Sequence, residues 1–459
     1  GAEDAAAAMG HPDFSATIGV YRDLVARFPN YRRDDGVYYL IGYCLNEMGE
    51  LEEAIAAWRN LVCSNHFTYT GPPAPAVVSD EPTAEELEEA RIAEHPSLGL
   101  TDDGEPEPVP TSFVDPYVDC VPVREGADFV METWLRIGEY HFDFDPDQYF
   151  LEAAISAYNY VLRDPTDRNY NLALYKVAWA YYRGSHYPES LHYFGMLVDW
   201  ADAEHARTGE TGSELRPEAL QYLALTFAYD DWNEDGVPDG DVNPAERGIV
   251  RLQDESLMPQ ERPWTQEVYF ELGDVYFEEA RYDLAIEVWE LALRRWPLNP
   301  RAPEITNSIA TAHHRRDELD REREALSRLG EYRPGTEWYD ANTEHPLEQN
   351  EAEELAEAAL INNGLHHHNL ATTLRRRAVE DRDAELLAQA MTEYGLAVDA
   401  YRGYLEAYPN SDQGYDVQYN LADALYWSER YEEAAEAYGA VRDSNLDDRY
   451  LGEAARRVV

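Results

Sequence analysis

The sequence has little positive charge and almost no lysine. Its 459 residues contain 91 Asp and Glu against 37 Lys and Arg, a formal net charge of -54, and Lys176 is the only lysine. A field this negative repels phosphate, which makes nucleic acids and anionic membrane surfaces poor candidates for partners. The excess of acid is typical of a salty or extracytoplasmic setting, so we expect a periplasmic, outer-membrane-associated or extracellular protein.

Long apolar runs are also missing. No run approaches the ~18 residues of a membrane span, and no positively flanked hydrophobic leader opens the sequence. Because the chain starts at Gly1 rather than Met, we expect a processed or trimmed chain whose leader is not visible. The 44% hydrophobic and 12% aromatic content excludes a disordered acidic tail and predicts a folded chain.

Cysteine is scarce. Cys44, Cys63 and Cys120 are too few for a disulfide scaffold. Cys63 and Cys120 bracket a segment of different composition, and a disulfide between them is predicted to join the two ends of that segment. The alternative is three reduced thiols, with Cys44 as a small buried hydrophobe.

The signatures of common enzyme classes are absent from the sequence. It has no GxSxG elbow, no GxxxxGK phosphate loop, no GxGxxG after a strand and no CxxC pair. Carboxylates are plentiful, but no pair is set apart as an acid–base dyad. We therefore predict no catalysis, and an enzyme built on a helical array is the minor alternative.

The strongest positive signal is an internal repeat of small and bulky residues. A small residue stands at the eighth position, another at the twentieth, and an aromatic or large apolar residue follows four positions later. Small residues let two antiparallel helices approach closely, and the bulky side chain fills the remaining groove. The four best copies span Tyr38 to Leu61, Leu174 to Leu197, Tyr269 to Ala292 and Gln418 to Val441.

The segment YFELGDVYFEEARYDLAIEVWELALRRWPLNP resembles the tetratricopeptide repeat (TPR) family at every signature position. The resemblance implies an all-α right-handed superhelix, an α-solenoid of about seven to nine helical hairpins with long loop insertions. Weaker units are Phe14 to Pro29, a second helix without its first, and Ile305 to Leu329. The predicted segments are N-terminal TPR-like helices in 1–63, a Pro- and acid-rich insertion in 64–126 with a short helix near 82–93, TPR units in 127–228, an insertion in 229–266, TPR units in 267–330, and long helices with C-terminal TPR units in 331–459.

Several phrases, among them WLRIGEYHFD, ALYKVAWAYYR, LRPEALQYLAL and YNLADALYWSERYEEAA, resemble the acidic envelope-associated TPR proteins of myxobacteria. This resemblance implies a non-catalytic scaffold for protein–protein interaction in a cell-envelope or secreted complex, linked to gliding motility or outer-membrane assembly. The alternative is a structural subunit of a larger extracellular or periplasmic assembly.

The string DDWNEDGVPDGD resembles the calcium loops of EF-hands and thrombospondin type 3 repeats. Oxygen ligands at alternating positions curl around one hard cation, and Gly236 permits the sharp bend. The twelfth position is Val242 rather than a bidentate acid, so closure has to come from Asp241, Glu246 or a more distant acid. The alternative is an acidic turn. The predicted structural calcium ligands are Asp231, Asn233, Asp235, Val237, Asp239 and Asp241.

Histidines suggest a metal site only weakly. Consecutive helical residues point about 100 degrees apart, so His366, His367 and His368 are not expected to ligate one ion. No HExxH spacing accompanies them or the pair His313 and His314. Polar packing between helices is the favoured interpretation.

Aromatic residues fall into two predicted groups. Those at or beside repeat positions, such as Trp58, Trp179 and Trp289, are predicted to be core. Others are predicted to line the inner face formed by first helices, where rigid rings supply contact area at low entropic cost. A negatively charged cradle favours a basic, extended or helical protein segment as partner. The predicted partner-binding residues are Tyr39, Tyr43, Tyr182, Tyr419 and Trp427.

Overall fold

The computed structural model describes residues 12–29, 31–71, 115–144, 148–444 and 446–458. All regular secondary structure in those ranges is helical, which confirms the predicted all-α fold class. The chain divides into two compact units, Gly1–Glu261 and Arg262–Val459. The short helix predicted near 82–93 lies outside the described residues. No helix in the described ranges is long and apolar enough to cross a membrane.

The first unit is built from helical hairpins. A single helix precedes three hairpins, and another helix follows them before an insertion with two short helices. From the first helix to the eighth, consecutive helices pack against each other, as the repeat predicts. The helices are α1 (Ser15–Arg27), α2 (Asp34–Glu47), α3 (Leu51–Val62), α4 (Val130–Phe144), α5 (Gln148–Val161), α6 (Tyr170–Arg183), α7 (Tyr187–Thr208), α8 (Arg216–Ala228), α9 (Asp239–Val242) and α10 (Gly248–Leu252), with a 3-10 turn at Pro244–Glu246.

The second unit continues the same pattern. Four hairpins are formed by α11 with α12, α13 with α14, α16 with α17 and α18 with α19. The helices are α11 (Thr265–Glu278), α12 (Tyr282–Arg295), α13 (Ala302–Arg315), α14 (Leu319–Arg328), α15 (Glu337–Ala341), α16 (Pro346–Asp381), α17 (Ala384–Ala407), α18 (Gly414–Trp427), α19 (Tyr431–Asp443) and α20 (Leu451–Arg457), with a 3-10 turn at Leu329–Tyr332.

Glycine and tryptophan set the spacing inside the hairpins. The indole of Trp58 fills the space beside Gly42, and that of Trp289 fills the space beside Gly273. Each indole nitrogen also donates a hydrogen bond, at 3.3 Å, to the carbonyl three residues before that glycine. Both rings are almost fully buried. The predicted role of the small eighth residue is therefore confirmed in these two hairpins.

A short segment around residues 115–123 is fastened to the first hairpin. The structure joins Cys63 and Cys120 in a disulfide that spans 57 residues. Next to it, the amide of Val123 donates to the Leu61 carbonyl at 2.8 Å. Tyr117, at the centre of the segment, is fully buried beneath this connection. The segment therefore completes the core of the first unit and is not a detached loop.

Candidate functional site

Helices α6 and α8 present a continuous group of aromatic rings. Tyr175, Trp179 and Tyr182 follow each other on α6 at spacings of four and three residues, which places them on one helix face. Tyr222 of α8 joins them, with its ring centroid 4.4 Å from that of Trp179. Centroids along α6 are 6.4 and 5.6 Å apart. We call these four residues, all partly exposed, the aromatic strip.

The aromatic strip rests on the core and holds a fixed position. Tyr222 stacks on the buried ring of Phe194 in α7, with centroids 5.5 Å apart and planes inclined by 14°. The prediction that Trp179 belongs to the core is wrong. Its ring contacts Tyr222 on α8, the helix that follows this hairpin, and remains partly exposed. In the sequence, the signal that identifies this surface is the spacing of four and then three residues between Tyr175, Trp179 and Tyr182.

Cations cover many other rings of this protein. Guanidinium groups lie 3.7 Å from the ring centroid of Tyr160, 4.1 Å from that of Trp232 and 3.9 Å from that of Trp427. In the described part of the chain, no Lys or Arg group stacks on a ring of the aromatic strip. These four rings are therefore open to a cation from outside.

A carboxylate lies at the edge of the aromatic strip. The hydroxyl of Tyr175 donates to Glu218 at 2.7 Å. Burial, followed by this hydrogen bond, raises the pKa of Tyr175, so its hydroxyl stays a neutral donor near pH 7. The carboxylate of Glu218 lies next to the rings, which favours a cationic ligand.

The predicted partner residues of α2 lie on a smaller surface. Tyr39 stacks on Phe129 with centroids 4.7 Å apart, and its hydroxyl donates to Glu132. Burial and the hydrogen bond to Glu132 raise the pKa of Tyr39 to about 12. Tyr43 is exposed at 42%. Among the five predicted residues, Tyr43 is exposed, and Tyr39, Tyr182, Tyr419 and Trp427 are partly exposed.

The predicted partner residues of the second unit are occupied by internal contacts. Tyr419 stacks on Tyr450 with centroids 4.0 Å apart and an angle of 11°. Trp427 carries the guanidinium of Arg375 on its ring. The five predicted aromatics are therefore distributed over α2 and α6 of the first unit and α18 of the second.

In the second unit, helices α11 and α13 carry three carboxylates that surround a single arginine. Arg301 lies 2.9 Å from Asp274, 2.9 Å from Glu304 and 3.6 Å from Glu271. Burial, followed by repulsion from Asp274, raises the pKa of Glu271, and burial also raises the pKa of Asp274 against the effect of Arg301. Three carboxylates thus share one positive charge, which leaves this surface negative.

The candidate calcium loop is curled by its own side chains. Asp231 accepts hydrogen bonds from the amides of Asp235 and Gly236 at 3.1 and 2.9 Å, and Asp235 accepts one from Val237 at 2.8 Å. Gly236 has φ +82°, a left-handed conformation that glycine adopts without strain. Asn233 contributes a further acceptor to the Asp235 amide at 3.0 Å.

Asp239 has a different role from the rest of this loop. It is buried and forms an ion pair with Arg251 at 2.6 Å, while its other carboxylate oxygen has no hydrogen-bond partner. Asp241 is exposed. In the ranges that the structure describes, no three His, Cys, Asp or Glu side chains are close enough to hold a metal ion. The loop therefore offers oxygens from Asp231, Asn233 and Asp235, and the Arg251 ion pair competes for Asp239.

The three adjacent histidines face different neighbours. His366 accepts from Arg323, His367 lies 2.6 Å from Glu393, and His368 lies 3.3 Å from both Tyr401 and Asp423. His313 and His314 each contact a glutamate of the following turn or helix, at 2.8 and 3.0 Å. All five thus take part in polar packing.

Two segments match family models. A model described as tetratricopeptide repeat matches residues 270–335, and another of the same description matches residues 37–62. These two segments contain tetratricopeptide repeats. The matched segments cover α11 to α14 and the α2–α3 hairpin, where the glycine–tryptophan pairs lie. These repeats support a scaffold for protein–protein interaction. No curated protein matches the chain.

Solved structures with similarity to this chain are also helical. A Rap protein complexed with competence and sporulation factor is 14% identical, with 96% of this chain and all of that chain covered and a TM-score of 0.22. Yeast Tom70 is 12% identical, with 96% of this chain and 84% of that chain covered and a TM-score of 0.18.

Proposed function

We propose that this TPR protein is a non-catalytic scaffold that binds a basic, extended or helical segment of another protein through the aromatic strip. The observation that carries the proposal is that the four strip rings are partly exposed and bear no cation, whereas arginines stack on many other rings of the chain. The strip is also rigid, because Tyr222 is stacked on a buried ring.

Physical chemistry favours an arginine or lysine at this surface. A cation over a Trp or Tyr ring gains about 0.5–2 kcal/mol, and the gain rises as the contact loses water. Glu218 at the strip edge adds a carboxylate partner. The net charge of -54 attracts a basic segment over a long range and accelerates encounter. The second unit has carboxylates around Arg301 that favour the same sign of ligand charge.

The test is a binding titration of the full chain with a synthetic Arg-Ala repeat peptide at physiological ionic strength, with a Glu-Ala peptide as comparison. We expect Trp179→Leu to lower the affinity for the Arg-Ala peptide about tenfold, because the largest ring of the strip is removed. Glu218→Gln keeps an acceptor for Tyr175 and is expected to weaken binding less. Binding of the Arg peptide to the native chain should weaken as salt rises.

Tyr431→Leu is the matched control. Tyr431 is 58% exposed on α19, in the other unit, so its loss should leave the affinity unchanged. Circular dichroism and the thermal midpoint establish that each variant is folded. Equal affinity of the Trp179→Leu variant and the native chain would show that basic peptides bind the acidic surface without using the strip, and would refute the proposal.

The proposed location is the periplasm, the outer membrane surface or the exterior of the cell, in an envelope or secreted complex that serves motility or outer-membrane assembly. The disulfide between Cys63 and Cys120 supports an oxidising compartment, because such bonds are rare in the cytosol. Fractionation of the native host, with alkylation of free thiols before lysis, tests this. A reduced protein found in the cytosol would refute the location.

We also propose a structural calcium ion at the 231–241 loop. The side-chain oxygens of Asp231, Asn233 and Asp235, which the curled loop brings to its own backbone amides, support it. Residues that would hold the ion are Asp231, Asn233, Asp235 and the Val237 carbonyl, and its charge would rigidify the insertion. Calorimetric titration of the chelator-treated protein should show one site that Asp235→Asn abolishes and that an Asp254→Asn control retains. No heat of binding would refute it.

A further inference from the structure

A partly enclosed cavity of about 310 Å³ lies between α14 and α16 in the second unit. Its walls are mainly apolar, and the cavity falls within the lower part of the size range of small-molecule sites. One wall comes from α14 and the 3-10 turn that follows it, and the opposite wall comes from α16. The apolar lining residues are Leu319, Leu326, Ala356, Ala359 and Leu360.

One end of this cavity is polar. Arg323, Asn362, Asn363 and His366 line it. Arg323 donates a hydrogen bond to Nε2 of His366. Burial, followed by the charge of Arg323, lowers the pKa of His366, so the imidazole is neutral near pH 7 and accepts that bond. Arg323 therefore supplies the positive charge at this end of the cavity.

Each guanidinium nitrogen of Arg323 has one partner, namely the Leu319 carbonyl for Nε, Nε2 of His366 for Nη1 and Asp320 for Nη2. The carboxylate partner of Arg323 is Asp320, whose side chain is 94% exposed. An ion pair this exposed contributes little, because water competes for both charges. Glu322 also lines the cavity, but its carboxylate lies 3.0 Å from Nδ1 of His314. A ligand carboxylate can thus replace Asp320 at little cost.

We propose that this cavity binds a small amphipathic carboxylic acid. The aliphatic or aromatic body lies between the leucines and alanines, and the carboxylate accepts hydrogen bonds from the guanidinium of Arg323. The amides of Asn362 and Asn363, exposed and without side-chain partners in the described part of the chain, frame the same end. The polar and charged rim favours a small acid over an inserted side chain of a protein partner, since protein interfaces deplete charge at their centres.

The experiment is a calorimetric titration of the full chain with octanoate and with its neutral counterpart octanamide. We expect octanoate to bind more tightly than octanamide. Arg323→Gln should lower the affinity for octanoate about tenfold, because a charge-assisted hydrogen bond is lost. The affinity for octanamide should stay unchanged. Gly330→Leu should abolish binding of both, because Gly330 lines the cavity and a Cβ there meets no atom within 4 Å.

Arg321→Gln is the matched control, since Arg321 lies on the same helix, is 64% exposed and does not line the cavity. The thermal midpoint shows that each variant is folded. Octanoate binding that survives Gly330→Leu, equal affinity for octanoate and octanamide, or binding of a leucine-bearing peptide without any binding of octanoate would each overturn the proposal. The proposed protein-binding function of the aromatic strip is independent of all these outcomes.

Discussion

The indole of Trp289 occupies the space that a side chain at Gly273 would need. A Cβ on Gly273 would lie 2.1 Å from Nε1 of Trp289. Trp58 stands in the same relation to Gly42, also at 2.1 Å. Since both glycines lie within helices, where glycine is otherwise unfavourable, close approach of the paired helix is the physical reason for glycine at these positions.

Gly273→Ala is expected to lower the free energy of unfolding by about 1–2 kcal/mol. Overpacking against Trp289 costs about 1–3 kcal/mol, and the better helix propensity of alanine offsets up to ~1 kcal/mol of that. Urea unfolding of the variant and the native chain measures the difference. In Gly395→Ala the Cβ meets open space, so this control should gain stability. A gain in both variants would contradict the packing argument.

Reduction of the disulfide is expected to destabilise the first unit. Closing a loop that spans 57 residues between Cys63 and Cys120 stabilises the fold by about 2–4 kcal/mol, mainly through the unfolded chain. Thermal unfolding with and without a reductant should show a lower midpoint under reduction. The double variant Cys63→Ala, Cys120→Ala should start at the lower midpoint and no longer respond to reductant. A reductant-insensitive native chain would argue against the bond.

Acid is expected to destabilise the first unit through His141. This side chain is buried, and its Nε2 lies 2.7 Å from the Tyr117 hydroxyl and 3.3 Å from Arg59. Burial, followed by repulsion from Arg59, lowers its pKa to about 3. Because the unfolded state then binds a proton that the folded state does not, stability is lost as the pH falls below about 6.5, by about 2 kcal/mol at pH 5.

The measurement for His141 is urea unfolding between pH 7 and pH 5, compared with His141→Gln. The variant lacks the titrating imidazole, so its stability should fall less over this interval. The difference between the two proteins cancels the contribution of the many carboxylates. Parallel pH profiles would show that His141 does not carry the effect.

The ion pair between Asp239 and Arg251 is expected to hold the insertion in place. Arg251 is 8% exposed, and its guanidinium also stacks 4.1 Å from the Trp232 ring centroid. Asp239→Asn leaves this charge without its nearest carboxylate and should cost about 3 kcal/mol. Asp241→Asn, at an exposed position two residues away, should be nearly neutral. Chemical denaturation in chelator-containing buffer measures the free energy of unfolding of both variants. Equal losses of stability in Asp239→Asn and Asp241→Asn would contradict the role given to the Asp239–Arg251 ion pair.

The hairpins were predictable because packing inside each one depends on residues close in sequence. Gly42 and Trp58, like Gly273 and Trp289, are 16 residues apart, and this interval is visible in the sequence. The α16–α17 hairpin contains the same kind of contact, in which the ring of Tyr401 fills the space beside Gly364. Gly364 and Tyr401 are 37 residues apart in the sequence, so the 16-residue interval did not reveal this pair.

The candidate site was only partly predictable. Tyr182 was identified, but Trp179 was assigned to the core with the other aromatics of the repeat positions. Whether a ring at that position is covered depends on the next hairpin, here on Tyr222, and this contact lies 43 residues away in the sequence. Similarly, nothing local indicates that Arg375 covers Trp427. The calcium site stays a prediction.

Hydrogen–deuterium exchange of the full chain, with and without the Arg-Ala peptide, tests the central claim most directly. If the aromatic strip is the recognition surface, the peptide should slow exchange in Tyr170–Arg183 and Arg216–Ala228 more than in the exposed carboxylate-bearing helix Leu319–Arg328. Protection spread evenly over the acidic surface, or confined to the second unit, would contradict the account.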